Sequence, residues 1–178
     1  MHWNCRCGAF EAEVNVSRGT RAVCYCPSCR EFAHRTDADG KLDSAGGADL
    51  LQVAPEDCKI LKGAENLTWM RLTPKGPLRW YTTCCNSPVA NTLTSRTVPF
   101  LTLMTPGFAD QEGLAPVDVR VNRRYANGRV PDDSKGAGHM FVTFAGRVLR
   151  SFVTGGWRRN PFFDAAGKPV ATGQTFHD

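Results

Sequence analysis

Val23-Cys24-Tyr25-Cys26-Pro27-Ser28-Cys29-Arg30, residues 23–30, decides how the rest of the chain is read. Three cysteines in the pattern Cys-x-Cys-x-x-Cys follow a short apolar piece, and Pro27 breaks regular structure between the second and third, as a ligand turn requires. Three thiolates from one turn can hold three corners of a tetrahedron around zinc, because zinc–sulfur bonds are only about 2.3 Å long. The fourth corner is left for another group. Cys5 and Cys7 precede the run, so five of the eight cysteines fall within the first thirty residues.

The surrounding sequence favours metal ligands over disulfides. A chain of 178 residues is long enough to bury its own core, and eight cysteines fall well short of the density of a disulfide scaffold. The opening Met1-His2-Trp3-Asn4-Cys5 has no charged region followed by an apolar stretch, and no run of roughly 18 apolar residues suits a bilayer. A cytoplasmic protein without a membrane partner is expected, in a compartment where thiols stay reduced. The formal charge of +5 and pI near 8.9 suit an anionic small molecule, but the excess is mild and spread along the chain. Arg120, Arg123, Arg124 and Arg129 around Tyr125 read as a solvated face. No nucleic-acid motif accompanies them, and nucleic acid is not an expected partner.

Working outward from the cysteine run, Phe10, Ala12, Val14 and Val16 alternate with polar residues, the period of a strand with one buried face. Ser28-Cys29-Arg30-Glu31 has the form of a capping box and predicts a short helix carrying His34 on its next turn. Residues 36–49 read as a loop. Strands are predicted at Leu50–Val53, Lys59–Leu61, Thr68–Leu72, Arg79–Thr82, Val89–Leu93 and Phe100–Met104, separated by proline and glycine turns. This is the pattern of a mainly β, antiparallel domain. After Gly107, Val117–Val121 alternates like an edge strand, and Phe141, Phe144, Val148 and Phe152 recur at helical spacing before Gly155-Gly156. Residues 1–106 are therefore read as a zinc-binding domain, and 107–178 as a C-terminal extension packed on it through one helix. Isolated Cys58 reads as a small buried apolar residue.

The remaining cysteines, Cys84 and Cys85, lie in Arg79-Trp80-Tyr81-Thr82-Thr83-Cys84-Cys85-Asn86-Ser87-Pro88. Across residues 1 to about 95, the order Cys-x-Cys-Gly, then Cys-x-Cys-x-x-Cys, then an aromatic strand ending in Cys before Ser-Pro, resembles the glutathione-dependent formaldehyde-activating enzyme (GFA) and centromere protein V family. The resemblance implies a zinc-binding β-tent of small antiparallel sheets with two zinc sites. One site would be structural, formed by Cys5 and Cys7 with two late-strand cysteines. The other, at Cys24, Cys26 and Cys29, would be the catalytic one and would meet the sulfur of glutathione. The family's late motif is Cys-x-x-Cys-Gly-Ser-Pro, and here its first cysteine is replaced by Thr82. Cys84 stands next to Cys85 instead. Adjacent residues on a strand point to opposite faces, so a joint contribution calls for a turn or bulge.

The residues themselves support a related chemistry. Zinc held by three thiolates carries a net negative charge, activates water feebly and welcomes another sulfur. A small thiol, glutathione or its like, is the natural fourth ligand, and as thiolate it is the species that attacks an aldehyde carbon. The expected function is that of a GFA-like carbon–sulfur lyase with one or two Zn²⁺ ions, acting on thiol adducts of aldehydes. Arg30, with Arg6 and Arg21 close in sequence, is the candidate for holding a ligand carboxylate. The alternative is a non-catalytic binding module stabilised by zinc, with the tripod closed by Cys5, Cys7 or His34. A further alternative is a single zinc on Cys5, Cys7, Cys26 and Cys29.

Overall fold

A computed structural model of the protein describes residues 1–176. In chain order its elements are β1 (His2–Asn4), β2 (Glu11–Val14), β3 (Thr20–Cys24), α1 (Pro27–Arg35), β4 (Ala48–Val53), β5 (Cys58–Lys62) and β6 (Leu67–Arg71). Then follow β7 (Leu78–Thr82), β8 (Pro88–Thr92), β9 (Leu101–Met104), β10 (Val119–Val121), α2 (Ala137–Val153) and β11 (Gly173–Thr175). The chain is mainly β, as the alternation predicts. Three strands form one sheet in the order β1-β2-β5, and eight form a second in the order β10-β3-β4-β9-β8-β7-β6-β11.

The eight-stranded sheet is antiparallel through its centre, while β10 on β3 and β11 on β6 add a parallel pair at each edge. Both edge strands come from residues after Gly107, which reach the sheet by long connections rather than hairpins. That geometry permits parallel pairing. The same region sends Phe162 and Phe163 into the main core, with ring centroids 5.0 and 6.4 Å from Trp80.

Period-2 alternation separates the two faces of the large sheet. Leu51, Val53, Leu78, Trp80, Leu101 and Leu103 point to one side and bury themselves with Trp3, Ala12 and Val14 of the small sheet and with Phe10 just before β2. Cys58 belongs to this core and is buried, as expected. The other face carries Leu50, Met70, Met104 and the cysteines of the residue 24–29 run under Phe32 of α1. Trp3 locks the sheets together, donating its indole N–H to the Met104 carbonyl at 2.7 Å.

Two local expectations are corrected. Ser28 and Glu31 do not form a capping box: α1 begins at Pro27 with Cys26 as its N-cap, Ser28 faces Arg79, and Glu31 pairs with Arg35 at 2.6 Å. The proline at the first helical position sets the helix start two residues earlier than the Ser-x-x-Glu pattern implies. α2 exists where the Phe141–Phe152 stripe predicts a helix, but it turns a polar side inward. Thr143, Arg147 and Ser151 reach Thr20, Gln52 and Glu56, whereas Phe141 and Phe152 are 71% and 49% exposed. The sheet surface beneath α2 is polar, and hydrogen bonding to it fixes the rotation of the helix. Among the described residues no helix is long and apolar enough to cross a membrane.

Candidate metal centres

Cys5, Cys7, Cys84 and Cys85 converge so that their sulfurs all lie within 4.8 Å of one another. The Cys5–Cys7, Cys5–Cys84, Cys7–Cys84 and Cys84–Cys85 separations are 3.6, 3.8, 3.4 and 3.8 Å. A tetrahedral ion with metal–sulfur bonds of about 2.3 Å has sulfur–sulfur edges of about 3.8 Å, so the four thiols fit one ion. The Cys84/Cys85 pair contributes jointly because both residues sit in a turn after β7 rather than on it. That turn is completed by Asn86 at φ 54°, in the left-handed region that asparagine tolerates. Gly8, at φ 73°, closes the corresponding turn of Cys5-Arg6-Cys7.

Thr82 is fully buried and supports the site without being a ligand. Its hydroxyl accepts from the Ser87 N–H at 3.2 Å and lies 3.5 Å from the Cys85 sulfur. Desolvation works against ionising Cys85, yet hydrogen bonds from Ser87 and Thr82 outweigh it and draw its thiol down to about 5. The Phe10 N–H donates to the Cys5 sulfur at 3.2 Å. Such donors orient and stabilise thiolate ligands.

The second group is Cys24, Cys26 and Cys29, again with sulfurs within 4.8 Å. Cys24 ends β3, Cys26 is the N-cap of α1 and Cys29 lies on its first turn, so a strand end and a helix start aim three thiols at one point. Hydrogen bonds from Cys24 and Cys29 hold the Cys26 thiol far below its ordinary range. Cys29 is driven far above it by Cys24, Cys26 and burial. A bound cation favours ionisation of all three.

The charge around this tripod is arranged for an anion. Arg79 is 3% exposed and places Nη1 4.0 Å from the Cys29 sulfur. The same nitrogen donates to Asn91 Oδ1 at 2.9 Å and Nη2 donates to Ser28 Oγ at 2.7 Å, so its hydrogen-bond partners include no carboxylate. A buried guanidinium needs a counter-charge. Three thiolates on a divalent cation supply one. Asn122, just beyond β10, donates Nδ2–H to the Cys24 sulfur at 3.3 Å.

Cys24, Cys29 and Arg79 line a cavity of about 260 Å³ on the open face of the large sheet. Register builds its floor. Thr20 pairs with Gln52, Gln52 with Thr102, Thr102 with Asn91 and Asn91 with Arg79, a polar row across five adjacent strands, and all five residues line the cavity. Met140 of α2 also lines it.

Of the residues read from sequence, all seven clustered cysteines are brought together, in two groups of four and three. Cys5, Cys7, Cys26 and Cys29 do not share one site. Arg30 donates to the carbonyls of Tyr25 and Tyr125 at 3.0 and 2.6 Å, tying the loop after β10 to the start of α1. His34 is an exposed partner of Asp39 at 3.3 Å and belongs to neither group. α1 connects the centres: its N-terminus carries the tripod, and Arg6 donates to Thr36 and Asp37 carbonyls just beyond its C-terminus. Arg79, Ser28 and Asn122 escape sequence reasoning, since their place depends on long-range pairing; alternation puts Arg79, between the core-facing Leu78 and Trp80, on the opposite face of the sheet, where a charged residue draws no notice.

Comparison with curated proteins finds no significant match. Among solved structures the chain is similar to the crystal structure of a Rhodobacter sphaeroides protein, at 23% identity and a TM-score of 0.45 over 67% of this chain and 98% of that one. Residues 1–174 match a family of unknown function (DUF6151), and the chain belongs to that family.

Proposed function

We propose that the chain is a GFA-like zinc protein whose Cys24/Cys26/Cys29 centre holds a small thiol while it adds to, or leaves, an aldehyde carbon, a carbon–sulfur lyase reaction in a reducing, cytoplasmic setting. The observation that carries this reading is the meeting of three thiols, an uncompensated buried arginine and a cavity at one place. A zinc ion bound by three thiolates supplies a soft fourth position that keeps a thiol deprotonated near neutral pH.

The chain's own residues do the rest. Arg79 offsets the excess negative charge, and Asn122 fixes the Cys24 sulfur by its amide N–H. The N-terminal end of α1 favours a thiolate at Cys26. In the addition, the sulfur electron pair forms the new C–S bond, the carbonyl π pair moves to oxygen, and the proton lost by the thiol ends on that oxygen. The lyase direction reverses each of these moves. The cavity holds the reacting partners close together, which lowers the entropic part of the barrier. In this reading the Cys5/Cys7/Cys84/Cys85 centre is structural zinc.

The test is hemithioacetal formation from a small thiol and formaldehyde, compared with the uncatalysed rate. The protein is expected to accelerate it, Cys26→Ser to abolish the acceleration and Cys58→Ser to retain it. A rate equal to background contradicts the catalytic reading.

A further inference from the structure

We propose that the thiol taken by the Cys24/Cys26/Cys29 centre has an uncharged, apolar body, an inference that rests on reading that centre as a ligand-accepting zinc. The cavity runs along β3 from Cys24 back to Thr20, about 13 Å of strand. Its walls are Ala22, Leu50, Leu93, Phe100, Val121 and Met140. Arg79 is the one charged residue in the lining among the described residues, and its guanidinium is engaged by Asn91, Ser28 and Cys29.

The rest of the polar floor is also engaged. Asn91 donates to Thr102 at 3.0 Å, and Arg147 of α2 donates to Thr20 at 2.8 Å and to Gln52. A glutathione-type ligand brings two carboxylates and an ammonium group, and the lining has no free ionic partner for them. Burying such charges unpaired is strongly unfavourable, whereas an alkyl or aryl body gains from leaving water.

The experiment uses the full chain with cobalt(II) at its metal centres, titrated with ethanethiol, butanethiol and glutathione and followed by the sulfur-to-cobalt charge-transfer band. Affinity is expected to rise by up to about fourfold per added methylene. Glutathione is expected to bind at least tenfold more weakly than butanethiol. Equal or tighter binding of glutathione overturns the apolar ligand class while leaving the open position intact. No spectral change with any thiol overturns the reading of the centre itself. Met140→Lys, at the cavity wall, is expected to flatten the dependence on chain length while ethanethiol still produces the band; an unchanged dependence contradicts this placement of the ligand.

A separate observation concerns α2. Phe141, Val142, Leu149, Phe152 and Val153 are 71%, 67%, 66%, 49% and 78% exposed. At 100° per residue they fall within an arc of about 120° centred between Ala145 and Leu149, opposite the inward face of Arg147. We infer that this face is a twofold interface with a second copy of the chain. The pattern is symmetric about the level of residue 147: in an antiparallel pair of helices, position 141 meets 153, 142 meets 152 and 145 meets 149. A face that maps onto itself by reversal is what an isologous interface requires.

Five apolar side chains, each about half exposed or more, amount to roughly 1,000 Å² of buried surface over two copies, near the lower limit for a specific dimer. Sedimentation velocity from 1 to 200 μM is expected to show a monomer–dimer equilibrium, shifted to monomer by Leu149→Glu with metal content unchanged. A monomer throughout overturns the proposal. So does wild-type binding to phospholipid vesicles without self-association, which would make the face a membrane contact.

Discussion

Arg79 lies with Nη1 4.0 Å from the Cys29 sulfur, in a buried setting where its hydrogen-bond acceptors are the neutral side chains of Ser28 and Asn91. A cation so placed stabilises an anionic neighbour and is itself stabilised by it, so metal affinity and the burial of Arg79 are linked. Arg79→Gln is expected to weaken metal binding at the tripod about 10–100-fold, the usual cost of losing an outer partner of a metal ligand. Arg79→Lys is expected to recover part of it. Competition with a chromophoric chelator measures both, and wild-type affinity in Arg79→Gln contradicts the linkage.

Cys84 is one of the four thiols that converge at the Cys5/Cys7/Cys84/Cys85 centre. Cys84→Ser is therefore expected to lower bound metal from two ions per chain to one and to reduce the midpoint of thermal unfolding. Cys58→Ala, in the core and outside both groups, is expected to keep two ions and to destabilise by about 1 kcal/mol. Metal analysis alongside thermal melts separates the two effects. Equal metal content in both variants contradicts the assignment.

Gly107 approaches the Trp3 indole so closely that a Cβ there would meet it at 2.0 Å. Trp3 is 1% exposed and anchored to the Met104 carbonyl, so it has nowhere to move. Gly107→Ala is expected to cost about 1–3 kcal/mol in urea unfolding, the range for overpacking a close-packed interior.

Asp57 is a test of pH dependence away from the metal centres. Burial raises its pKa, and Arg150, 3.8 Å away, offsets this in part. A raised folded-state pKa means that the stabilising contribution is complete below the unfolded value and is lost as pH rises through the folded one. Asp57→Asn is thus expected to match the wild type near pH 3 and to be the more stable protein at pH 7. Denaturant titrations at both pH values check the sign.

The strands of this fold were legible because each alternates locally: Ala12 and Val14 against Glu11 and Glu13, or Leu101 and Leu103 against Thr102, announce one buried face apiece. Cys24, Cys26 and Cys29 were legible for the same reason, being close in sequence, whereas the joining of Cys5 and Cys7 to Cys84 and Cys85 across the chain was expected only from the family resemblance. What escaped depends on register. Thr20, Gln52, Thr102, Asn91 and Arg79 come from five strands and become a row only once those strands pair. The orientation of α2 escaped too. Of the stripe Phe141, Phe144, Val148 and Phe152, Phe144 and Val148 are half-buried, with Phe144 against Phe100, while Phe141 and Phe152 are exposed because the surface beneath offers hydrogen-bond partners to Thr143, Arg147 and Ser151.

The most direct test of the account is an anomalous-scattering map recorded at the zinc edge from crystals grown with a small thiol and without chelator. The account predicts two zinc ions, one enclosed by Cys5, Cys7, Cys84 and Cys85, the other held by Cys24, Cys26 and Cys29 with the added thiol's sulfur at its fourth position. A tripod without metal, or one whose fourth position is filled by a group of the chain itself, contradicts it.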